Sequence, residues 1–234
     1  MGKHEKHRYV VRLAALLSGL FAAPADAACR LALLLALDAS ASVDARGYAL
    51  QRDGLAAALA APDIRHAILA GRGEVVLGVY EWSGRFQQHL HLDWTPLRSP
   101  EDISRAAAII AGMRRVTSDF PTALGSALGF GARLMTRAPD CARRVIDVSG
   151  DGINNQGFGP ALAYRHFPFD GITVNGLVVL GGSAEVVRHY RDEVLRGPGA
   201  FLELAEGFED FERAMARKLF REISDVRLGA RPAQ

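Results

Sequence analysis

Several features are scarce in this sequence of 234 residues, and each absence removes a class of protein. No glycine-rich loop of the form G-x-x-x-x-G-K-[ST] occurs, so the loop with which many nucleotide-binding proteins hold phosphate is missing. Lys and Arg never form a run longer than two, which leaves no basic stretch for nucleic acid or an anionic membrane. Internal repeats, long linkers and low-complexity segments are also lacking, and the length favours one domain.

The N-terminal segment, residues 1–28, has the pattern of a secretory signal peptide. Basic residues come first, a short apolar stretch covers residues 13–23, and Ala-Asp-Ala at 25–27 has the A-x-A form of a cleavage site. We expect cleavage after Ala27 or Ala28 and export, with the periplasm favoured over release. The alternative is an uncleaved anchor, although the apolar stretch is too short for a stable membrane span. Cleavage removes four basic and two acidic residues, so the net charge falls from +2 to zero.

Cysteine is nearly absent, and the two that occur, Cys29 and Cys141, are placed in a suggestive way. Each precedes an apolar segment that leads to an aspartate, Asp38 in the first case and Asp151 in the second. If the two segments are neighbouring parallel strands, the cysteines lie side by side at their amino ends. An oxidising compartment permits a disulfide, and we predict Cys29–Cys141. The alternative for Cys29, lipidation, is disfavoured because Asp26 stands where a lipoprotein signal has a leucine-like residue.

Predicted strands and helices alternate along the chain. The strands are 30–38, 74–82, 85–94, 142–150, 171–181 and 200–205, and the helices are 44–61, 100–111, 122–135, 159–167, 183–195 and 208–223. Most strands are continuous apolar runs, but 85–94 alternates polar and apolar residues, which is typical of an edge strand with one solvent-exposed face. Pro62 is expected to close the first helix.

This alternation predicts an α/β fold: a doubly wound, mostly parallel, Rossmann-like sheet with one antiparallel edge strand and helices on both faces. We assign one domain to residues 29–225 and a frayed C-terminal tail to 226–234.

Polar residues follow three of the predicted strand–helix junctions. Asp38, Ser40 and Ser42 form D-x-S-x-S after the first strand, Thr122 stands at a helix start, and Asp151 follows a buried strand between two glycines. In doubly wound sheets the carboxyl ends of the strands meet where strand order reverses, and ligands bind there. Two carboxylates and three hydroxyls are hard oxygen ligands that suit Mg²⁺, or Mn²⁺ or Ca²⁺, rather than Zn²⁺. The alternative for the first loop is helix N-capping alone.

This order of motifs resembles the von Willebrand factor type A domain over about residues 30–224. The stretches "ALQRDG", "VYEWSG", "RRVIDVSGDGINNQG" and "GPGAFLELAEGFEDF" more specifically resemble domain-of-unknown-function family 1194, an exported bacterial family with that fold. The resemblance implies a metal-ion-dependent adhesion site (MIDAS) made by Asp38, Ser40, Ser42, Thr122 and Asp151. In such sites the hydroxyls tend to hold the metal directly, an aspartate often acts through water, and a partner's Asp or Glu fills the open position. The glycine before Asp151 departs from many relatives, which have a threonine there.

Other polar and aromatic residues have a structural and a functional interpretation. Asp147 lies within a predicted buried strand; we favour a structural role, paired with an arginine such as Arg52 or with Asn175, over a role as a base near the metal. His89 and His91 share one face of the edge strand, where solvation is favoured over binding of a transition metal.

Three residues are assigned to the rim of the ligand site. Asn154 and Asn155 follow Asp151 closely, and Trp82 stands at the carboxyl end of the second strand. Aromatic side chains make good anchors for a partner, although core packing is an equal alternative for Trp82.

The pattern as a whole favours a binding module over an enzyme. We expect an exported domain that holds a divalent cation and docks a protein or peptide carboxylate, with no nucleic-acid partner and no stable membrane anchor after signal cleavage. The alternatives are a metal-dependent hydrolase that uses the Asp38/Asp151 cluster, and a structural domain with a vestigial metal site. A phosphoaspartate-type hydrolase needs a second carboxylate two residues after the first, and Ser40 stands there.

Overall fold

The structure is a computed structural model and describes residues 29–181 and 184–224. The predicted signal peptide and C-terminal tail lie outside the described residues. The strands are β1 (Leu31–Asp38), β2 (Val75–Trp82), β3 (Gln88–Pro96), β4 (Arg143–Gly150), β5 (Ile172–Val179) and β6 (Leu202–Ala205). The helices are α1 (Ala45–Ala60), α2 (Pro62–Ala70), α3 (Pro100–Ala111), α4 (Leu124–Met135), α5 (Pro160–His166), α6 (Ala184–His189) and α7 (Phe211–Ile223). A π-helical turn, Tyr190–Val194, continues α6, and a 3₁₀ turn, Phe208–Asp210, precedes α7.

The six strands form one sheet in the order β3-β2-β1-β4-β5-β6. Every pair is parallel except β2 with β3, which is antiparallel. The predicted fold class and the antiparallel edge strand are therefore confirmed. Strand order reverses between β1 and β4, so the carboxyl ends of these two strands form the switch point at which the predicted site residues lie.

All of β1 is buried because the strand is central and both its faces are covered. Leu33, Leu35 and Leu37 point to a core formed with α1, α2, α3 and α7. Leu34 and Ala36 point to a second core formed with α4, α5, α6 and the π-helical turn. An apolar residue on each face at every position explains why β1 is a continuous apolar run rather than an alternating one.

The first helix ends just before Pro62, as expected, but Pro62 also begins a further helix that was not predicted. Pro62 is the first residue of α2, where a missing backbone N–H costs nothing because the first turn of a helix has no partner for it. Ile64 and Ile68, one turn apart, face the core and hold this extra helix against it.

The predicted disulfide is present. Cys29 and Cys141 are bonded, with their Cα atoms 4.5 Å apart. The bond lies at the amino ends of β1 and β4, where Leu31 pairs with Arg143. It closes a loop of 112 residues, for which the chain-entropy model gives about 4–5 kcal/mol of stabilisation.

The partners expected for Asp147 were wrong, although its structural role stands. Its carboxylate lies 3.1 Å from the ammonium of Lys218 on α7. Arg52 instead pairs with Asp53, its neighbour on α1. Asn175 lies beside Asp147 across β4 and β5, but donates its amide hydrogen bond to a different carboxylate. The helix that covers a buried strand thus supplies the counter-charge, which strand patterns do not reveal.

The two edge histidines have different environments. His91 is 9% exposed in its side chain and its Nε2 lies 3.0 Å from Oε2 of buried Glu81, whereas His89 is exposed. His91 thus contacts a buried carboxylate, whereas we expected it to face solvent. No helix within residues 29–181 and 184–224 is both long and apolar enough to cross a membrane.

Candidate metal centre

The D-x-S-x-S loop turns sharply as it leaves β1. Asp38 ends the strand and is fully buried, and its Oδ1 accepts a hydrogen bond of 2.7 Å from the backbone N–H of Ser40. The N–H of Ala41 donates to the carbonyl of Phe120 at 2.8 Å, which ties this loop to the segment before α4. The N-cap of α1 is Asp44, whose Oδ1 accepts from the Gly47 N–H at 2.6 Å. The serines are therefore not needed to cap the helix.

Side chains of three separate segments meet above this loop. Ser40 Oγ lies 3.1 Å from Ser42 Oγ, and Thr122 Oγ1 donates to Ser40 Oγ at 3.3 Å. Ser42 Oγ donates to Asp151 Oδ1 at 2.6 Å. The five predicted ligands are thus brought together by one continuous chain of oxygen contacts, with Asp38 attached to it through Ser40.

Thr122 is free to contribute its hydroxyl because it is not a helix cap. α4 begins at Leu124, two residues later than position 122, and has no side-chain cap. The backbone N–H of Thr122 donates to Asn155 Oδ1 at 2.8 Å, and the N–H of Asn155 returns a bond of 2.9 Å to the Thr122 carbonyl. Asn154 Oδ1 accepts from the Gly125 N–H at 3.2 Å. The amide oxygens of the two asparagines thus hold the start of α4 in place beside Thr122.

The assignment of Trp82 to the ligand rim was wrong. Its side chain is fully buried and belongs to the core on the α4 face of the sheet. A residue that ends a central strand can point into a covered face, and this one does. Core packing, the alternative interpretation, is correct.

The S-G-D-G sequence around Asp151 has a steric reason. A Cβ atom on Gly150 would lie 2.8 Å from Asp38 Oδ2 and 2.6 Å from the hydroxyl of Tyr190, closer than real Cβ atoms approach such atoms. Any other residue at position 150 therefore pushes Asp38 out of place. The departure from the usual threonine belongs to the same arrangement that seats Asp38 beneath the loop.

The electrostatics of the site leave negative charge without a protein counter-charge. Burial raises the pKa of Asp38 to about 7, and the nearby Asp151 carboxylate adds to the increase, although hydrogen bonds from Ser40 oppose it. Asp38 Oδ2 is buried and has no hydrogen-bond partner among the residues that the structure describes. Arg115, the basic side chain that contacts the loop, donates instead to the carbonyls of Ala39 and Ser40 at 2.9 and 2.8 Å.

These features fit a divalent cation. The donor set is made of hard oxygens, the hydroxyls retain unused lone pairs, and the unpartnered Asp38 Oδ2 needs a positive partner. Within the described part of the chain no group of three or more His, Cys, Asp and Glu side chains forms a metal-binding cluster. The residues that would hold a cation are Asp38, Ser40, Ser42, Thr122 and Asp151.

Two residues near the site were not anticipated from the sequence. Arg115 donates hydrogen bonds to backbone carbonyls of the D-x-S-x-S loop. The hydroxyl of Tyr190 lies beside Gly150. No motif marks either residue. Tyr190 lies inside a predicted helix, and only the packing of that helix against β4 and β5 brings its hydroxyl to the site.

Exposed apolar side chains surround the site on the same edge of the sheet. Phe86 in the β2–β3 turn is 82% exposed, and Val116 and Phe120 before α4 are 54% and 36% exposed. Arg85 lies over the Phe86 ring, 5.4 Å from its centroid, and its backbone N–H donates to Gln156 Oε1 at 2.9 Å. Hydrogen bonds thus hold the turn that presents the most exposed aromatic ring next to the loop that follows Asp151.

The fold is similar to that of several solved structures. Proximal thread matrix protein 1 from the mussel byssus matches with a TM-score of 0.63 and 14% identity, over 85% of this chain and 49% of that one. A von Willebrand factor type A protein from Catenulispora acidiphila matches with a TM-score of 0.56 and 15% identity, over 84% and 42%. The pilus adhesin SpaC of Lactobacillus rhamnosus GG matches with a TM-score of 0.61 and 13% identity, over 84% and 30%. The chain spans half or less of the length of each.

The mussel protein has also been solved with zinc in its MIDAS motif. No curated protein matches the sequence. The family described as Protein of unknown function (DUF1194) matches over residues 28–227, nearly the whole chain. The chain therefore belongs to the DUF1194 family, and its fold is that of a von Willebrand factor type A domain.

Proposed function

We propose that this protein is an exported binding module that holds a divalent cation at its MIDAS-like loop cluster and docks a carboxylate of a protein or peptide partner on it. The observation that carries the proposal is that two carboxylates and three hydroxyls meet in one cluster, in which Asp38 Oδ2 is buried and has no hydrogen-bond partner among the described residues. Mg²⁺ is the favoured ion, with Mn²⁺ and Ca²⁺ as alternatives, because all ligands are hard oxygens.

The surroundings of the site support a macromolecular partner. Phe86, Val116 and Phe120 place exposed apolar surface beside the cluster, and such surface around a polar centre is typical of protein interaction sites. A partner carboxylate bound to the cation would be anchored by charge, and these side chains would bury its neighbours. The Cys29–Cys141 disulfide and the signal-like N-terminus support export, and we favour the periplasm.

The chemistry of the loops favours binding over catalysis. The five residues that would hold the cation offer no histidine, cysteine or lysine that could act as a nucleophile or as a general base. The hydrolase alternative makes a distinct prediction: metal-dependent turnover of a phosphoester such as p-nitrophenyl phosphate, abolished in Asp38→Asn.

Thermal unfolding with and without metal tests the proposal. The exported protein is unfolded in EDTA and in excess Mg²⁺, Mn²⁺ or Ca²⁺. A site at a hundredfold its dissociation constant adds about 2.7 kcal/mol, which for a domain of this size raises Tm by about 5–10 °C. Asp38→Asn should lose this rise. Asp44→Asn is the matched control, because the same change six residues later keeps a helix N-cap and leaves the cluster intact.

Two outcomes would contradict the proposal. One is a Tm that none of the three ions raises. The other is a rise of equal size in Asp38→Asn, which would place the bound metal elsewhere on the protein.

A further inference from the structure

Tyr190 is a buried tyrosine at an unusual point of the backbone. It is the first residue of the π-helical turn that follows α6, and the N–H of Leu195 donates to its carbonyl at 2.9 Å. The side chain is fully buried, and its ring lies so close to β5 that a Cβ on Gly176 would meet its Cδ1 at 2.8 Å. Single π-helical turns of this kind are frequent at functional sites. The ring is thus fixed in one direction, toward the carboxyl end of β4.

The hydroxyl of Tyr190 and Asp38 Oδ2 face the same small space beside Gly150. The position that a Gly150 Cβ would take lies 2.6 Å from the Tyr190 hydroxyl and 2.8 Å from Asp38 Oδ2. Both oxygens are buried, and neither has a hydrogen-bond partner in the described residues. A buried polar group without a hydrogen bond lowers the stability of the fold by about 1–3 kcal/mol. Two such groups beside one point therefore require an explanation.

The two groups are chemically complementary. A phenol hydroxyl can donate, and a carboxylate oxygen can only accept. Asp38 Oδ1 is already occupied by the Ser40 N–H, so Oδ2 is the atom left for a second donor. Ligands of metal sites are generally oriented by such outer partners, and loss of one typically lowers metal affinity 10–100-fold.

We infer that Tyr190 is a positioning residue of the metal centre, whose hydroxyl donates to Asp38 Oδ2 and holds that carboxylate in place when a cation is bound. The inference rests on the proposed function and adds to it a residue that no motif of the sequence includes. In this arrangement the π-helical turn that follows α6 lies beneath the site. Position 150 must be glycine because a side chain there would separate the two oxygens.

Tyr190→Phe tests the inference, with Mn²⁺ affinity measured by calorimetric titration and Tm measured in EDTA. The variant should bind Mn²⁺ 10–100-fold more weakly than the wild type. Its Tm in EDTA should equal or exceed that of the wild type, because the change removes a buried hydroxyl that has no partner. If Tyr190 had only a structural role, Tyr190→Phe would leave the Mn²⁺ affinity unchanged.

Tyr80→Phe is the matched control. Tyr80 is equally buried, but its hydroxyl donates to the Ala127 carbonyl at 2.9 Å, away from the site. This variant should lose stability with and without metal and keep the wild-type affinity. Tyr190→Phe with wild-type affinity overturns the inference while the metal site stands. A wild type that binds none of Mn²⁺, Mg²⁺ and Ca²⁺ overturns the proposed function and the inference together.

Discussion

Two pairs of carboxylates lie in different parts of this molecule and are balanced in different ways, and of the four groups only Asp151 is partly exposed. Asp147 on β4 and Glu222 on α7 lie within the core, and the ammonium of Lys218 is 3.1 Å from each. Asp38 and Asp151 lie at the carboxyl edge of the sheet, and no ion pair joins either to a basic side chain in the described part of the chain. The first pair has a lysine as its counter-charge, whereas the second has no basic side chain paired with it in the described residues.

The inner pair is a closed structural cluster. Lys218 is fully buried, and its Nζ lies 4.4 Å from the centroid of the Phe201 ring. Asn175 donates to Glu222 Oε1 at 2.7 Å. Burial raises the pKa of Asp147 to about 8; Lys218 lowers it, and Glu222 raises it further. Two carboxylates thus share one ammonium, and a proton on Asp147 balances the charge at neutral pH.

The comparison shows why similar residues have different uses. A buried carboxylate is stable when the chain supplies a counter-charge, as helix α7 does with Lys218. At the sheet edge the surrounding donors are hydroxyls and backbone N–H groups, which carry no positive charge. The two places differ by one lysine. Changes of charge at the inner pair and at the outer pair should therefore have different effects on stability.

The largest expected effect is the pH dependence that Asp147 confers. The unfolded chain loses this proton near pH 3.8, whereas the folded protein keeps it to about pH 8, so stability present at low pH is lost as pH rises through this window. The loss amounts to at most about 6 kcal/mol. Asp147→Asn should remove it: the unfolding free energy of the variant, relative to the wild type, should increase between pH 4 and 8 in urea titrations. A flat difference would mean that Asp147 is ionised throughout.

Removal of the shared cation should have the next largest effect. Lys218→Met leaves Glu222 and Asp147 buried without a counter-charge and should cost about 3–5 kcal/mol at pH 7, measured by urea unfolding. The triple variant Asp147→Asn, Lys218→Met, Glu222→Gln should regain most of this loss, because no charge is then buried.

The matched control for Lys218→Met is Arg213→Met on the same helix. The side chain of Arg213 is 72% exposed in its ion pair with Asp210, so its removal should cost far less than the removal of Lys218. Equal losses in the two variants would contradict the view that burial makes the inner cluster dependent on its lysine.

The smallest effect is expected at the outer pair in the absence of metal. Asp38→Asn should raise the unfolding free energy in EDTA at pH 8 by about 2 kcal/mol, because it removes a buried charge that has no cation. The sign is opposite to that expected when Lys218 is removed from the inner cluster. An Asp38→Asn variant that is less stable than the wild type in EDTA would mean that the protein itself balances the charge of the outer pair.

Local patterns were sufficient to predict much of the fold. The continuous apolar run of β1 indicated a central strand, and the alternation of residues 85–94 indicated the antiparallel edge. The equal spacing of Cys29 and Cys141 from the ends of their strands led to the disulfide. These inferences succeeded because periodicity and strand ends are properties of a chain segment by itself. Helix α2 was not predicted, because a proline is compatible both with the end of one helix and with the first turn of the next.

The sequence by itself determined the fold class, the disulfide and the identity of the five residues that meet at the switch point. The alternation of strands and helices and the polar residues at their junctions can be recognised within short segments of the chain. Tertiary structure alone decided that Trp82 is buried, that Lys218 pairs with the inner cluster and that the Tyr190 hydroxyl lies beside Gly150. Each of these depends on which face of a distant helix packs on the sheet. A side chain far along the chain becomes a neighbour only when that packing is fixed, and a local pattern holds no record of it.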